Sequence, residues 1–193
     1  TILSRVCKRT PKLRITLSFG TCGAVEEAVS KGHLDAGFFD GPCADRRLWT
    51  QELARLNLRI VAPREWGDHL DTSGWRALEA RPWAFVSPLC SYYVFMKGLF
   101  KKHKLRLSVR FEVDDNRTLL ELVQGGHAMT VLPAEYLVDP HLRQQLYVWP
   151  HFTETIPMSV CCLRDRSAEP ALKAFLQCAG EVWKKPPPCP RDL

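Results

Sequence analysis

SFGTCGAVEEAVSKGHLDAGFF, residues 18–39, is the stretch from which the fold prediction starts. The residues just before and into it, 13–19, alternate apolar and polar side chains, which predicts a strand. After a glycine-containing turn, the apolar positions of 24–31 fall on one helical face, and Gly32 is predicted to end that helix. Residues 34–39 predict a second, buried strand. A strand, a helix and a strand in this order indicate a βαβ unit in a parallel sheet.

A similar series of a helix, a glycine and a strand is predicted in DDNRTLLELVQGGHAMTVLP, residues 114–133. A helix is predicted over 116–124, with Asp114 or Asp115 as its N-cap, and it ends at glycine. A histidine follows, and then a predicted strand at 128–132. Two copies of one unit predict two similar lobes with a cleft between them.

The remaining elements complete an α/β protein. Strands are predicted at 58–63, 82–86 and 156–163, and helices at Ser91–His103, 133–138 and Glu169–Trp183; the proline-rich end, 184–193, is predicted to fray. The chain is expected to cross between lobes after Pro63 and near Pro157. Lobe I is therefore predicted to contain 1–63 and 157–193, and lobe II 64–156.

Composition narrows the class of protein. With 193 residues, 46% of them hydrophobic, the chain is long enough to bury a substantial core. The longest uncharged run, between Arg81 and Lys97, is shorter than a membrane span, and no signal peptide is recognisable. A formal net charge of +6 permits binding to polyanions or to small anionic ligands without deciding between them.

The eight cysteines do not predict a disulfide framework or a metal site. They form no C-x-x-C pair and show no zinc-finger spacing, and a chain of this size folds without covalent staples. Reduced thiols and a cytoplasmic setting are therefore expected. No cofactor motif is recognisable, and no cofactor or metal is expected.

An ordered series of motifs resembles the effector-binding domain of LysR-type transcriptional regulators. That family shows a proline before an apolar strand, a Gly-Ser/Thr turn, a GxLD sequence, a later helix–glycine–strand–proline series and a closing helix. The matching residues are Pro11, Leu13, Ile15, Leu17, Gly20, Thr21, Gly32, Leu34, Asp35, Leu119, Val123, Gly125, Ala128, Leu132 and Pro133, with AEPALKAFLQCA, 168–179, as the closing helix.

The resemblance implies a type 2 periplasmic-binding-protein fold, in which two Rossmann-like lobes close on a small-molecule effector. It also implies a homodimer or tetramer, with the predicted helix Ser91–His103 as a candidate dimer contact, and no membrane partner. Full-length members read promoter DNA through an N-terminal winged helix-turn-helix, so DNA binding is expected only through that separate domain. The family opens with a strand before its first helix; Thr1 already lies inside that helix, so this strand is expected to be missing.

Helix N-termini are the candidate anion sites, because their backbone N–H groups and partial positive charge receive carboxylates. Two are predicted to face the cleft: 21–23 in lobe I and, by resemblance to the family's effector loop, 87–91 in lobe II. A structural role explains the same residues, since serine, threonine and aspartate cap helices and a lone histidine is usually structural. The candidate effector-binding residues are Thr21, Cys22, Asp40, Ser87, Leu89, Cys90, Ser91, Asp115 and His127.

Rival functions remain open at this point. Cys22 and Cys90 fall at predicted helix starts, where a thiol pKa is lowered, so a redox-sensing domain is one alternative. A solute-binding protein of a transport system is another. An enzyme is not expected, because the sequence contains no G-x-S-x-G, H-E-x-x-H, P-loop or G-x-G-x-x-G motif, nor the Thr-Arg-Phe signature of prephenate dehydratases. The basic run 97–107 is interpreted as a solvated helix face.

Overall fold

The computed structural model describes residues 1–113 and 115–183, so Asp114 and the predicted frayed end at 184–193 lie outside the described residues. The chain divides into two compact units. Unit 1 comprises Thr1–Arg55 and the chain from Pro157 onward, and unit 2 is Leu56–Ile156. Leu58, Ile60 and Ala62 are fully buried in the core of unit 2. The division therefore falls upstream of the crossover predicted after Pro63.

The described residues form eight α-helices and seven β-strands. In chain order these are α1 (Ile2–Arg9), α2 (Cys22–Ser30), β1 (Ala36–Asp40), β2 (Leu48–Pro63), α3 (Gly67–Ser73), α4 (Trp75–Glu79), β3 (Trp83–Phe85), α5 (Ser91–Lys102), β4 (Val109–Glu112), α6 (Asn116–Gln124), β5 (Thr130–Pro133), α7 (Pro140–Gln145), β6 (Leu146–Val148), β7 (Thr155–Leu163) and α8 (Pro170–Trp183). The helix predicted at 133–138 is a 3-10 turn, Ala134–Leu137. Of the helices in the described ranges, none is long and apolar enough to cross a bilayer.

The predicted strand at 13–19 is wrong. Every residue of this stretch is exposed, including Leu17 at 69% and Phe19 at 88%, and none belongs to a strand. Alternating apolar side chains favour a half-buried strand, but a strand also needs a neighbour that pairs with its backbone N–H and C=O groups. No strand in 1–113 or 115–183 pairs with this stretch.

The parallel βαβ unit expected around α2 is wrong for the same reason. With no strand at 13–19 to pair with it, β1 pairs antiparallel with β7, from Ala36 opposite Cys162 to Asp40 opposite Met158. In sheet order β7 lies between β1 and β2.

Unit 1 buries apolar side chains on both faces of this sheet. Because successive strand residues point to opposite faces, adjacent Cys161 and Cys162 enter different clusters. Cys161 packs with Val29, Phe39 and Leu48 on the α2 side. Cys162 packs with the α8 side chains Leu172, Leu176 and Ala179.

A glycine lets α2 lie directly on β1. A Cβ atom built on Gly37 would stand 2.3 Å from Cγ1 of Val25 and 3.3 Å from Cγ2 of Val29. At the other end of α2, Gly32 adopts a φ of 74°, and His33 N–H donates to the Ala28 carbonyl at 2.8 Å. This is the glycine-terminated helix end that the sequence predicted.

Unit 2 is built around β2 and a two-stranded parallel sheet. The second part of β2 pairs antiparallel with β5 and with β6. Strands β3 and β4 pair in parallel, and Trp83 forms a parallel bridge to Met129, just before β5. Trp83 and Phe85 enter an aromatic cluster with Phe100 and Trp149, whereas Ala84 faces a second cluster with Leu119 and Val123. The sequence analysis did not predict strand β4. Of the four side chains in Val109–Glu112, three are exposed and one is partly buried, so no apolar face marks this strand.

The close contact at Gly37 predicts a strong effect of one methyl group. Gly37→Ala forces its new Cβ into Val25, and overpacking of this kind costs about 1–3 kcal/mol of unfolding free energy. Urea unfolding monitored by circular dichroism measures it, and Gly37→Ala/Val25→Ala is expected to recover part of the loss.

Gly98→Ala is the control, because a Cβ there meets nothing within 4 Å. It lies inside α5, where alanine favours the helix by up to about 1 kcal/mol. Equal stability of Gly37→Ala and the wild type would contradict the close packing of α2 on β1.

Candidate functional site

The carboxyl ends of β3, β4 and β5 meet at one edge of unit 2. β3 is parallel to β4, and the bridge from Trp83 to Met129 sets β5 parallel to β3. The hydroxyl of Thr130 donates to the Ala84 carbonyl at 2.8 Å and holds β5 against β3. In α/β proteins ligands bind beyond the carboxyl ends of parallel strands. The loops at this carboxyl edge are therefore the candidate ligand-binding loops of unit 2.

One of these loops leads from β3 into α5 and contains four of the predicted residues. Leu89 N–H donates to Ser87 Oγ at 3.1 Å, and Cys90 N–H donates to the Ser87 carbonyl at 3.0 Å, which fixes a turn before the helix. Cys90 is the N-cap of α5, with Ser91 as the first helical residue. Within the described residues, the Cys90 side chain makes no capping bond to its helix. The positive end of the α5 helix dipole faces this loop.

A second loop leads from β4 into α6, where Asp115 is the N-cap. Asp115 Oδ1 accepts from Arg117 N–H at 2.7 Å and from Thr118 N–H at 2.9 Å. Its Oδ2 accepts from the Thr118 hydroxyl at 2.8 Å. These hydrogen bonds, chiefly that from Thr118 N–H, hold the pKa of Asp115 below its ordinary value. Both carboxylate oxygens are thus engaged in capping the start of α6, which is the structural role that the sequence allowed.

The third loop adds Tyr136, which sequence reasoning missed. Asn116 Nδ2, at the first position of α6, donates to the Tyr136 hydroxyl at 2.9 Å. Tyr136 lies in the 3-10 turn Ala134–Leu137 that follows β5. Tyr136 is 40% exposed, which leaves surface for a ligand. Only the parallel alignment of β5 with β3 brings residues 116 and 136 together, and no local motif marks Tyr136.

His127 does not join this edge. It follows α6 and precedes β5, and Met129 N–H donates to the Pro82 carbonyl just before β3 begins. His127 therefore lies at the amino ends of these strands, opposite the loops that carry Ser87 and Asp115. Its N–H donates to the Leu122 carbonyl at 3.0 Å and completes the end of α6.

Unit 1 brings three predicted residues together where β1 ends and α2 begins. Asp40 N–H donates to Cys22 Sγ at 3.2 Å, which joins the last residue of β1 to the first residue of α2. Thr21 is the N-cap, in an extended conformation. In the part of the chain that is described, its hydroxyl makes no capping bond to α2. Thr21 therefore adds a hydroxyl donor to the N–H groups of the first turn.

The buried thiols of unit 1 behave as apolar side chains. Burial raises the pKa of the Cys161 thiol to about 12. It also raises the pKa of the Cys43 thiol and of the Glu26 carboxyl, which share a hydrogen bond. A protonated thiol is a poor nucleophile and a poor metal ligand. Across the described residues, no group of three or more His, Cys, Asp or Glu side chains could hold a metal ion.

Comparison with known proteins identifies a family for almost the whole chain. The model of the LysR substrate binding domain matches residues 1–184. The chain is 21% identical over 184 residues to an Escherichia coli (strain K12) protein described as "Uncharacterized HTH-type transcriptional regulator YfiE". That match covers 94% of this chain and 62% of the relative, so the chain spans about three fifths of its length.

Solved structures show the same fold. The regulatory domain of CcmR from Synechocystis PCC6803, in complex with 2-PG, is similar with a TM-score of 0.80 and 19% identity, over 96% of this chain and 91% of that one. The effector-binding domain of QuiR, in complex with shikimate, is similar with a TM-score of 0.71 and 16% identity, over 95% and 89% of the two chains. The predicted fold class, α/β of the type 2 periplasmic-binding-protein kind, is confirmed.

The cap of α6 predicts an acid-dependent contribution to stability. Asp115→Ala removes the acceptor for two backbone N–H groups and is expected to lower the melting temperature at pH 7. Because the folded-state pKa of Asp115 is lowered, this stabilisation is complete above the unfolded pKa of about 4 and is lost as the pH falls through the folded pKa. The difference in melting temperature between wild type and Asp115→Ala should shrink on acidification.

Asp115→Asn provides the control, since asparagine also caps helices but does not titrate there. The difference in melting temperature between Asp115→Asn and Asp115→Ala should stay constant across the pH range. A wild-type difference that is equally independent of pH would show that Asp115 does not stabilise α6 as a carboxylate.

Proposed function

The chain belongs to the LysR substrate-binding domain family, and from that premise we propose that it is the ligand-sensing domain of a LysR-type transcription regulator. In this proposal the domain binds a small anionic effector and thereby controls DNA binding by the full-length regulator, which reads its promoter through a separate domain. The regulator acts in the cytoplasm as a homodimer or tetramer. The domain acts by binding and not by catalysis.

One observation supports the proposal that the effector is an anion. In unit 2, α5 and α6 each follow the carboxyl end of a strand, and in unit 1 the first residue of α2 lies beside Asp40, the last residue of β1. At α2 and α5 the cap side chain makes no bond to its own helix within the described residues. The positive dipole ends of these helices favour a carboxylate or phosphate.

Hydroxyl groups near these helix starts can orient the bound ligand through hydrogen bonds. Thr21 lies at the start of α2, Ser87 and Ser91 lie at the start of α5, and Tyr136 lies beside the start of α6. Hydroxyl groups both donate and accept, so they suit a ligand that carries hydroxyl as well as carboxylate oxygens. The ligands of the two similar structures, 2-PG and shikimate, support this class of compound.

Binding regulates only if the effector prefers one arrangement of the domain. A ligand shifts a conformational equilibrium by no more than its difference in affinity between the states. In the proposal the effector binds one conformation of the domain more tightly than the other, so it shifts the equilibrium toward that conformation. The same preference stabilises the folded domain, by about 2.7 kcal/mol when the ligand is present at a hundred times its Kd.

A thermal-shift screen of small carboxylates and phosphorylated acids tests the unit 2 part of the proposal. A ligand that raises the wild-type melting temperature should lose its effect in Asn116→Asp, because the new carboxylate repels an anion at the start of α6. Aspartate is favourable in the first turn of a helix, so the fold itself should be retained.

Gln144→Glu makes the same change of charge at an exposed position of α7 and should leave the ligand effect intact. Loss of the effect in both variants would point to a general charge dependence. A wild type that responds to no anion, or an Asn116→Asp variant that responds fully, would contradict an effector anion at this edge.

Thr21→Ala tests the contribution of unit 1. Since the Thr21 hydroxyl makes no capping bond to α2 in the described part of the chain, the melting temperature without ligand should change little. The ligand identified above should bind roughly tenfold more weakly by calorimetry, the loss expected for one hydrogen bond to a charged group. Thr50→Ala, an exposed threonine of β2, should bind as the wild type does. Unchanged affinity in Thr21→Ala would remove the start of α2 from the site.

A further inference from the structure

The basic run at 97–107 does more than form a solvated helix face. In the structure the chain turns back after α5, and much of the run lines an open, concave pocket of about 410 Å³ in unit 2. This volume falls within the range of small-molecule sites. The residues that line it are Tyr93, Lys97, Lys101, Lys104, Leu105, Arg106 and Leu107.

Four cationic side chains line this pocket, and few negative charges lie beside them to balance their charge. Lys97 and Lys101 are one turn apart on α5, and Lys104 and Arg106 follow after the helix ends. None of the four takes part in an ion pair within the described residues. Glu79 is the carboxylate next to them, where Oε1 accepts from the backbone N–H of Arg106 at 2.7 Å. Like charges held this close repel one another, and a polyanion would relieve that repulsion.

Lys104 occupies a backbone position that is unfavourable for lysine. Helices α2 and α6 end with Gly32 and Gly126 in the left-handed region, at φ of 74° and 80°. Helix α5 ends in the same hydrogen-bond pattern, since Leu105 N–H donates to the Phe100 carbonyl at 2.9 Å. The left-handed residue there is Lys104, with φ of 58°, the one non-glycine residue in the described ranges with positive φ. Retained strain of this kind accompanies functional positions.

The pocket also has an apolar wall. Leu105 and Leu107 are half-buried beside the partly buried ring of Tyr93, and Lys97 Nζ lies 5.7 Å from the centre of that ring. An inorganic anion would leave this surface uncovered. A flat heterocycle can stack on a tyrosine ring and pack against leucines, while its phosphate groups reach the cations.

We propose that this pocket binds a nucleoside polyphosphate, with the phosphate chain on Lys101, Lys104 and Arg106 and the base against Tyr93, Leu105 and Leu107. The site is separate from the effector edge described above. Helix α5 has 12 residues and is therefore about 18 Å long, with the effector loop at its N-terminus and the lysine pocket toward its C-terminus. The domain would then respond to a nucleotide as well as to its effector.

Calorimetric titration of the whole chain with ATP, inorganic tripolyphosphate and adenosine tests the proposal at roughly 0.1 M salt, where exposed charges further apart than about 10 Å are screened. ATP should bind the wild type at least tenfold more tightly than tripolyphosphate or adenosine. Lys101→Gln and Lys104→Gly should each weaken ATP binding roughly tenfold, the loss of one charge-assisted contact. Lys104→Gly should melt at an equal or higher temperature, because glycine suits positive φ.

Lys102→Gln is the matched control, since Lys102 is the exposed neighbour of Lys101 but does not line the pocket. It should bind ATP within about twofold of the wild type. Equal losses in the Lys101 and Lys102 variants would overturn the proposal in favour of diffuse charge attraction. Equal affinities for ATP and tripolyphosphate, the absence of ATP binding, or displacement of ATP by duplex DNA at equal phosphate concentration would also overturn it.

Discussion

Parallel pairing of β3 with β4 is the constraint on which the candidate site depends. Parallel strands end on the same side, so every helix that follows one of them begins at a common edge. The bridge from Trp83 to Met129 extends this rule to β5, and the buried Thr130 hydroxyl locks the alignment by its bond to Ala84. In the proposed function, this edge attracts an anion through backbone dipoles, and side chains such as Ser87 and Tyr136 add selectivity.

Unit 1 reaches a related arrangement from a different sheet. Its β1 is antiparallel to β7, yet α2 still begins beside the end of β1, because Gly37 admits Val25 and the Asp40 N–H bonds to Cys22. In both units, therefore, a strand ends beside the start of a helix.

Much of this organisation was predictable from periodicity. The limits of α6 were predicted as observed, and α5, β1 and β7 were predicted within about two residues, since each has an apolar face that repeats with the period of its own structure. The prediction of a strand at 13–19 was wrong because alternating apolar and polar side chains indicate only a preference for strand. They do not show that a neighbouring strand is present to pair with it. Strand β4 was missed because its side chains are mostly exposed, and Tyr136 and the pocket around Lys104 were missed because they exist only through tertiary contacts.

The most direct test of the effector account is backbone amide NMR of the isotope-labelled chain during titration with a ligand found by the thermal-shift screen. If helix N-termini receive an anion, the amide signals of Cys22–Ala24, Ser91–Tyr93 and Asn116 should move most, because hydrogen bonding to an anion shifts these protons downfield. The signals of exposed residues at the far ends of the same helices should stay in place. Shifts confined to other segments, with these three groups unmoved, would contradict the central claim.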